Sequence, residues 1–205
     1  MTPDLVARHL RRANDVARRA IALGRHPFGA ILVAPDGETV LAEQGNVDTV
    51  NHAESVLARA AATNFTPEYL AQCTLVTTVE PCAMCAGTQY WANIGRLVYG
   101  MSERRLLELT GNHGENPTMD LPCRAVLAAG QKSIEVIGPV PAVDPQRLNQ
   151  AGSVYLTRPN LAHFTRSADE FAWRAGERDY AGTIAAKSDG AKNGGETDVD
   201  CGGSC

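Results

Sequence analysis

The sequence predicts an α/β protein in which five strands form one sheet with helices on both of its faces. Strand-like and helix-like segments alternate along the chain up to Pro139, and this alternation is the pattern of an α/β fold. The strand segments are short and β-branched, whereas the helical segments repeat apolar residues every three or four positions. With 44% hydrophobic and 20% charged residues among 205, the chain can bury a full core.

The first elements are a long helix and a β-hairpin. The segment "LVARHLRRANDVARRAIALG" has helical spacing of its apolar residues and stops at Gly24. The segment "FGAILVAPDGETVLAEQGN" predicts two strands joined by a turn at Pro35–Asp36–Gly37. A second helix is expected from His52 to about Ala62.

The rest of the sheet follows in strand–helix order. The segment "CTLVTTV" predicts a strand that leads directly into the helix "EPCAMCAGTQYWANIG". The next strand is "RLVYG", followed by the short helix "ERRLLELTG" and the loop "NHGENPTMDLP". The segment "CRAVLAAG" is compatible with another helix, and "SIEVIG" is the last strand.

The composition changes after Pro139, where the proline-rich segment "PVPAVDP" begins. We expect residues 1–144 to form one domain and residues 145–186 to form an atypical, partly helical extension. Ser167 and Glu170 have capping-box spacing within that extension. Residues 187–205 are rich in Gly and Asp and are expected to be a disordered tail.

Charge and hydropathy exclude some classes of function. The formal net charge of −4 gives no attraction to nucleic acid or anionic lipid. No apolar run is long enough to span a bilayer, and the N-terminus lacks the apolar core of a signal peptide. The expected location is therefore the cytoplasm, where grouped cysteines hold metal more often than they form disulfides. The first helix carries several arginines, which are interpreted as a solvated face: Arg8, Arg11, Arg12, Arg18 and Arg19.

Two helix starts carry side chains suited to metal chemistry. His52 and Glu54 open one predicted helix, and Cys82 and Cys85 open another just after Pro81. Helices that follow strands of one sheet can bring their N-termini to the same edge. The two cysteines lie one turn apart, and a helix N-terminus favours their thiolate forms. Taken alone, the first pair could be ordinary polar residues favoured by the helix dipole, and a single C-x-x-C is weak evidence.

Together these residues predict a zinc site with catalytic character. One His and two Cys suit tetrahedral zinc with one open position, whereas a structural site normally has a fourth protein ligand. Glu54 would lie beside the metal and could accept and return protons. The order H-x-E followed by P-C-x-x-C is the signature of zinc deaminases. Cys73 and Cys123 stand alone and are expected to be buried small hydrophobes.

On these motifs, the segment from about Leu5 to Pro139 resembles the cytidine-deaminase-like superfamily of zinc-dependent nucleobase and nucleoside deaminases. The resemblance implies a three-layer α/β/α sandwich around a central five-stranded mixed sheet, one Zn²⁺ per subunit and a homodimer or larger assembly. It also implies hydrolytic deamination with Glu54 as the proton shuttle. Asn46, at the end of the second strand, and Ala53 would contact the base, although a simple turn role for Asn46 is equally open.

The choice of substrate is less well determined by the sequence. The segments "PFGAILV" around Phe28 and "QYWANIGRLVYG" around Trp91 resemble guanine deaminases, in which aromatic residues enclose a free purine. Guanine is therefore the favoured substrate, although both aromatic residues could simply belong to the core. The alternatives are a tRNA adenosine deaminase, which has a similar "EPC-x-MCAG" segment, a cytosine or cytidine deaminase, and a base-binding scaffold without activity.

The loop "NHGENPTMDLPC" departs from the segments expected in each of these branches. The resemblance places it where the family lines or covers the pocket. His113, Asn116 and Asp120 are therefore candidate substrate contacts, with an ordinary exposed polar loop as the alternative.

Overall fold

The computed structural model describes residues 1–111 and 118–140. Within them, six helices and five strands follow one another in the order that the sequence predicts, apart from one additional short helix. The helices are α1 (Pro3–Ala22), α2 (Ala53–Asn64), α3 (Pro67–Leu70), α4 (Ala83–Trp91), α5 (Glu103–Thr110) and α6 (Cys123–Ala128). The strands are β1 (Gly29–Val33), β2 (Val40–Gly45), β3 (Thr74–Val79), β4 (Arg96–Met101) and β5 (Glu135–Ile137).

The five strands form one mixed sheet in the order β2-β1-β3-β4-β5. The hairpin strand β1 is antiparallel to both β2 and β3, whereas β3, β4 and β5 are parallel. The carboxyl ends of β3 and β4 therefore meet at one edge, where Val79 pairs with Met101. The segments that begin α4 and α5 leave the sheet at that edge.

Alternation along the strands builds a core on each face of the sheet. Leu32, Leu75 and Leu97 are in register across three strands and pack on the side of α2, α4 and α6. Their chain neighbours Val76 and Val98 join the core on the opposite side, with residues of α1. Side chains that alternate between two apolar cores are typical of a sheet buried on both faces. This arrangement confirms the predicted three-layer α/β/α sandwich with a central five-stranded mixed sheet.

Helix α1 packs unusually close to the sheet. Thr2 caps its start by accepting a hydrogen bond from the Leu5 N–H at 3.4 Å, and Gly24, just beyond its end, has a positive φ of 73°. A Cβ atom at Gly29 would lie 2.4 Å from the carbonyl oxygen of Ala13. Glycine at this position therefore lets the backbone of α1 contact β1 directly.

Most sequence predictions in the described region are confirmed, with small differences at helix starts. His52 and Cys82 are the N-cap residues of α2 and α4. Helix α2 therefore begins one residue later than predicted, whereas α4 is shorter than its predicted segment from Glu80 to Gly95 and begins after Pro81. The short helix α3, which the sequence reading did not anticipate, begins at Pro67 behind the capping Thr66. The predicted extension 145–186 and tail 187–205 lie outside the described residues. Within the described ranges no helix has the length and hydropathy needed to cross a membrane.

Candidate metal centre

The structure brings His52, Cys82 and Cys85 together. His52 and Cys82 cap two helices on the same face of the sheet, and Cys85 lies one turn into α4. The Nδ1 atom of His52 lies 3.6 Å from Sγ of Cys82 and 3.6 Å from Sγ of Cys85. All three potential ligand atoms lie within 4.8 Å of one another.

These distances fit a zinc ion. Zn–S bonds of about 2.3 Å and Zn–N bonds of about 2.0–2.1 Å at tetrahedral angles separate nitrogen from sulfur by about 3.6 Å. The Nε2 atom of His52 lies 3.1 Å from the carbonyl oxygen of Thr49, an arrangement that leaves Nδ1 free to bind metal. Among the described residues this group contains three ligands, which leaves one tetrahedral position for water or substrate.

The two thiols of the cluster differ in pKa. The hydrogen bond from Cys85, opposed by burial and assisted by His52, lowers the pKa of Cys82 to about 4. The same hydrogen bond, together with burial, raises the pKa of Cys85. The hydrogen bond with Cys82 also raises the pKa of His52. The cluster thus holds a thiolate before any metal arrives, and a thiolate is the form that zinc binds.

Glu54 lies in the first turn of α2, is 5% exposed and does not belong to the ligand group. The Thr77 hydroxyl on β3 donates a hydrogen bond of 2.5 Å to Glu54 Oε1. Burial raises the pKa of Glu54, although the Thr77 hydrogen bond acts in the opposite direction. A buried carboxyl beside a metal-binding group can hold or release a proton, which is the property required of a general acid–base.

Sequence reasoning missed two further buried carboxyl groups at the same sheet edge. Glu80 accepts hydrogen bonds from the backbone N–H groups of Glu103, at 3.1 Å, and Cys123, at 2.9 Å, and so ties together the starts of α5 and α6. Burial, together with the charges of Cys82, Glu54 and Glu80, raises the pKa of Glu103 to about 8. The only signal in the sequence was the position of Glu80, directly before Pro81 and Cys82.

Three of the predicted base contacts lie at the ends of elements: Phe28 just before β1, Asn46 just after β2 and Ala53 at the start of α2. Asn46 is 1% exposed, and its side-chain Oδ1 is buried without a hydrogen-bond partner among the described residues. Its backbone N–H donates to the carbonyl oxygen of Phe28 at 2.9 Å. Phe28 is partly buried against Val79 and Leu106. Ala53 is fully buried between His52 and Glu54.

Two other predicted contacts, Trp91 and Asp120, lie within the described residues, and neither belongs to the ligand group. Trp91 ends α4, two turns beyond the cysteines, and is 81% exposed with its ring edge-to-face on Tyr90. Asp120 is exposed and forms an ion pair of 3.3 Å with Arg104. His113 and Asn116 lie outside the described residues. The contacts of all four with a base stay predictions.

The remaining cysteines of the described region are confirmed as buried small residues. Cys73 and Cys123 are both 0% exposed and lie in the core formed with α2, α4 and α6. Burial raises the pKa of both thiols, that of Cys123 to about 12. They are therefore protonated and lie apart from the ligand group.

Comparison with known proteins supports the same chemistry. Residues 4–101 match the cytidine and deoxycytidylate deaminase zinc-binding region. A probable cytosine deaminase of Schizosaccharomyces pombe is 37% identical over 134 residues, which cover 64% of this chain and 82% of that protein. The tRNA-specific adenosine deaminase of Haemophilus influenzae is 39% identical over 99 residues, which cover 46% of this chain and 57% of that protein.

A solved structure shows the same fold. The guanine deaminase from Nitrosomonas europaea superposes with a TM-score of 0.53 at 20% identity, over 80% of this chain and 92% of that chain. At this identity the likeness concerns the fold, and it agrees with the mixed five-stranded sheet described above.

Proposed function

Because this chain belongs to the zinc-binding family of cytidine and deoxycytidylate deaminases, it is a zinc-dependent nucleobase or nucleoside deaminase, and we propose roles for its residues in that reaction. His52, Cys82 and Cys85 hold one zinc ion in each subunit, and Glu54 moves the protons. The observation that carries this proposal is the three-ligand group with a buried, non-ligating carboxyl two residues from the histidine. A structural zinc site needs neither an open position nor such a carboxyl.

The reaction replaces the amino group of the base by oxygen from water and releases ammonia. When bound, zinc supplies Lewis-acid chemistry that lowers the pKa of a water molecule. Glu54 accepts the proton of the attacking water on Oε2, the oxygen that Thr77 does not engage. It passes this proton to the ring nitrogen next to the amino-bearing carbon. It then takes the remaining proton from the oxygen added to that carbon and transfers it to the amine as the C–N bond breaks and ammonia leaves.

Asn46 orients the base in this proposal. Its Nδ2 group is already engaged, because it donates to the carbonyl oxygen of Asp48 at 3.0 Å. Its Oδ1 atom is buried and lacks a partner among the described residues. A buried acceptor without a partner is costly, and an N–H group of a bound base would satisfy it. Ala53 closes the pocket from the start of α2.

For the substrate we propose a free base, with cytosine as the first candidate. The support for cytosine is the Schizosaccharomyces pombe relative, which this chain matches over 82% of its length. Guanine, which the sequence favours through Phe28 and Trp91, is the second candidate, because Trp91 is exposed at the end of α4.

A tRNA substrate is disfavoured by the surface of α1. Arg12 and Arg19 both form ion pairs with Glu43, and Arg18 forms one with Asp15 at 3.3 Å. Each of these arginines has a carboxylate partner within the protein, which reduces the positive charge that this face offers to phosphate groups.

We also propose that residues 1–144 form the catalytic domain, that residues 145–186 form an extension and that residues 187–205 form a tail. A second proposal is that the protein is a homodimer. Light scattering of the full chain tests the assembly, and a monomeric mass would contradict it.

The function is tested by ammonia release from zinc-loaded protein with cytosine, guanine, adenine, their nucleosides and a tRNA anticodon stem-loop. Glu54→Gln is the test variant, and the exposed Glu68→Gln is its matched control. We expect release from cytosine, a fall of about a hundredfold or more in Glu54→Gln at unchanged zinc content, and no fall in Glu68→Gln. Release from the stem-loop alone would overturn the free-base assignment, and full activity of zinc-loaded Glu54→Gln would overturn the role of Glu54.

A further inference from the structure

The connection between β2 and α2, which we name the 46–52 connection after its residues, joins two functional groups. Asn46 at its start is the proposed base contact, and His52 at its end is a proposed zinc ligand. It contains no helix or strand, yet its polar groups are densely hydrogen-bonded. The bonds converge on Asp48, a residue to which no role has been given above.

The side chain of Asp48 folds the second half of the connection into a turn. Its Oδ1 accepts hydrogen bonds from the backbone N–H groups of Val50, at 2.8 Å, and Asn51, at 2.6 Å. Its Oδ2 accepts a third from the Asn51 side-chain Nδ2 at 2.9 Å. Three donors from two residues thus meet one carboxylate, which is the geometry of an Asx turn with an added side-chain bond. The Asn51 carbonyl closes the turn by accepting from the Val47 N–H at 3.1 Å.

The same turn fixes the side chain of Asn46. The carbonyl oxygen of Asp48 accepts from Asn46 Nδ2 at 3.0 Å. This bond determines which end of the amide is left for a ligand, because it engages the donor and leaves the buried Oδ1. The position of that carbonyl depends on the backbone that the Asp48 carboxylate holds.

The turn also fixes the ring of His52. The carbonyl oxygen of Thr49, inside the turn, lies 3.1 Å from His52 Nε2. A proton on Nε2 satisfies this carbonyl and leaves the lone pair on Nδ1, the atom that lies 3.6 Å from both sulfurs. Carbonyl groups that orient a ligating histidine in this way stabilise the metal-binding tautomer.

We propose that Asp48 is a positioning residue that holds Asn46 and His52 in one rigid turn, so that base recognition and zinc binding depend on the same carboxylate. The proposal rests on the proposed function for the roles of Asn46 and His52. Asp48 itself contacts neither the metal group nor the base-binding atom; it acts through the backbone of residues 48–51.

The chain offers a matched control in the β1–β2 turn. Asp36 also accepts two backbone N–H bonds through Oδ1, from Glu38 at 2.8 Å and Thr39 at 2.9 Å, and a side-chain bond from Thr39 through Oδ2. Asp48→Ala and Asp36→Ala therefore remove the same kind of turn, one at the candidate site and one in the hairpin. A general loss of stability would affect both variants.

The first experiment measures zinc affinity of the full chain by competition with a chromogenic chelator. We expect Asp48→Ala to weaken zinc binding by about tenfold or more, which is the effect typical of losing a group that orients a metal ligand. We expect Asp36→Ala to leave zinc binding unchanged. In the zinc-loaded protein, nitrogen NMR of the histidine rings should show a His52 Nε2 proton that exchanges slowly with solvent in the wild type and faster in Asp48→Ala, because the Thr49 carbonyl is then no longer held in place to accept it. The KM for the base should rise in Asp48→Ala, because Asn46 loses its orientation.

The second experiment exchanges the two partners. Asn51→Asp places a second carboxylate against the carboxylate of Asp48, so two negatively charged acceptors face each other. The double variant Asp48→Asn/Asn51→Asp restores one donor and one acceptor without changing net charge. We expect zinc affinity and KM to be impaired in the single variant and substantially restored in the double one.

The outcomes separate this inference from the proposed function. Equal zinc affinity in wild type, Asp48→Ala and Asp36→Ala would overturn the positioning role, and so would a double variant no better than Asn51→Asp. If wild-type protein releases no ammonia from any base, the proposed function fails, while zinc affinity and the nitrogen spectra still decide the role of Asp48.

Discussion

The Thr77 hydroxyl on β3 donates a hydrogen bond of 2.5 Å to Oε1 of Glu54 on α2, and both side chains are buried. The same hydroxyl lies 3.4 Å from the carbonyl oxygen of Gly29, so the much shorter bond to the carboxyl is its main interaction. Thr77 therefore ties the proposed proton shuttle to the centre of the sheet and leaves one carboxyl oxygen for chemistry.

Thr77→Val should lower kcat by about tenfold or more, because a hydrogen bond to a charged group contributes about 1.5–3 kcal/mol. The shape of the side chain is kept, and zinc content should not change, since Thr77 does not belong to the ligand group. Steady-state kinetics and metal analysis check this result. Thr77→Ser should restore most of the activity, because it keeps the hydroxyl.

The neighbouring Thr78 provides the control for this prediction. It is also buried, but its hydroxyl accepts the backbone N–H of Gly29 at 3.3 Å and does not contact Glu54. Thr78→Val should lower stability and leave kcat unchanged. If both valine variants lose kcat equally, the Thr77–Glu54 bond has no special role.

The sequence predicted the architecture well because its signals are local. The neighbours Leu32 and Val33 in β1 are both apolar, as are Leu75 and Val76 in β3, and such pairs indicate a sheet buried on both faces. The His52 and Cys82 motifs mark helix starts directly. The short helix α3 was not predicted because its four residues are too few to show a helical period.

The environment of side chains was harder to predict than the elements. Trp91 is apolar, yet it is 81% exposed, because it lies on the side of α4 opposite to the buried residues Cys85, Ala86 and Gln89. Glu80 and Glu103 look like ordinary surface acids in the sequence, but the starts of α4, α5 and α6 surround them. Burial of this kind depends on neighbours that are distant in the chain, and periodicity carries no information about them.

Loss of either cysteine of the cluster should abolish stable zinc binding. Cys82→Ala and Cys85→Ala each leave two protein ligands, too few for a tight tetrahedral site. Metal analysis after dialysis should find zinc in wild type and in the control Cys73→Ala, whose thiol is buried away from the group. Zinc retained at the wild-type level in Cys82→Ala would contradict the assignment of this ligand.

A chain ending at Asp144 should keep the turnover of the full chain. The proposed zinc ligands, Glu54 and Asn46 all lie within 46–85, and the other predicted base contacts lie before residue 144. Val140, which donates its N–H to the Tyr99 carbonyl at 3.0 Å and packs into the α1 core, is retained. Kinetics and light scattering of the two forms check this prediction. Lost turnover would mean that residues 145–205 complete the site, and a changed mass would mean that they complete the assembly.

The free energy of unfolding should fall as pH rises through the range in which Glu103 titrates. Burial, with the charges of Cys82, Glu54 and Glu80, raises the pKa of Glu103 from 4.5 to about 8, and His52 acts in the opposite direction. Between these pH values the folded protein keeps a proton that the unfolded chain has released. The folded state therefore loses up to about 1.4 kcal/mol of stability per pH unit in this window.

Glu103→Gln should remove this loss, because glutamine resembles the protonated acid and does not titrate. In urea unfolding of the metal-free protein, its stability relative to wild type should be similar near pH 4, should rise up to about pH 8 and should then level off. The exposed Glu108→Gln, on the same helix, should follow wild type at every pH. Zinc should weaken the effect, because it offsets the negative charge of Cys82. A wild type and Glu103→Gln with parallel pH profiles would show that Glu103 is ionised in the folded protein at neutral pH.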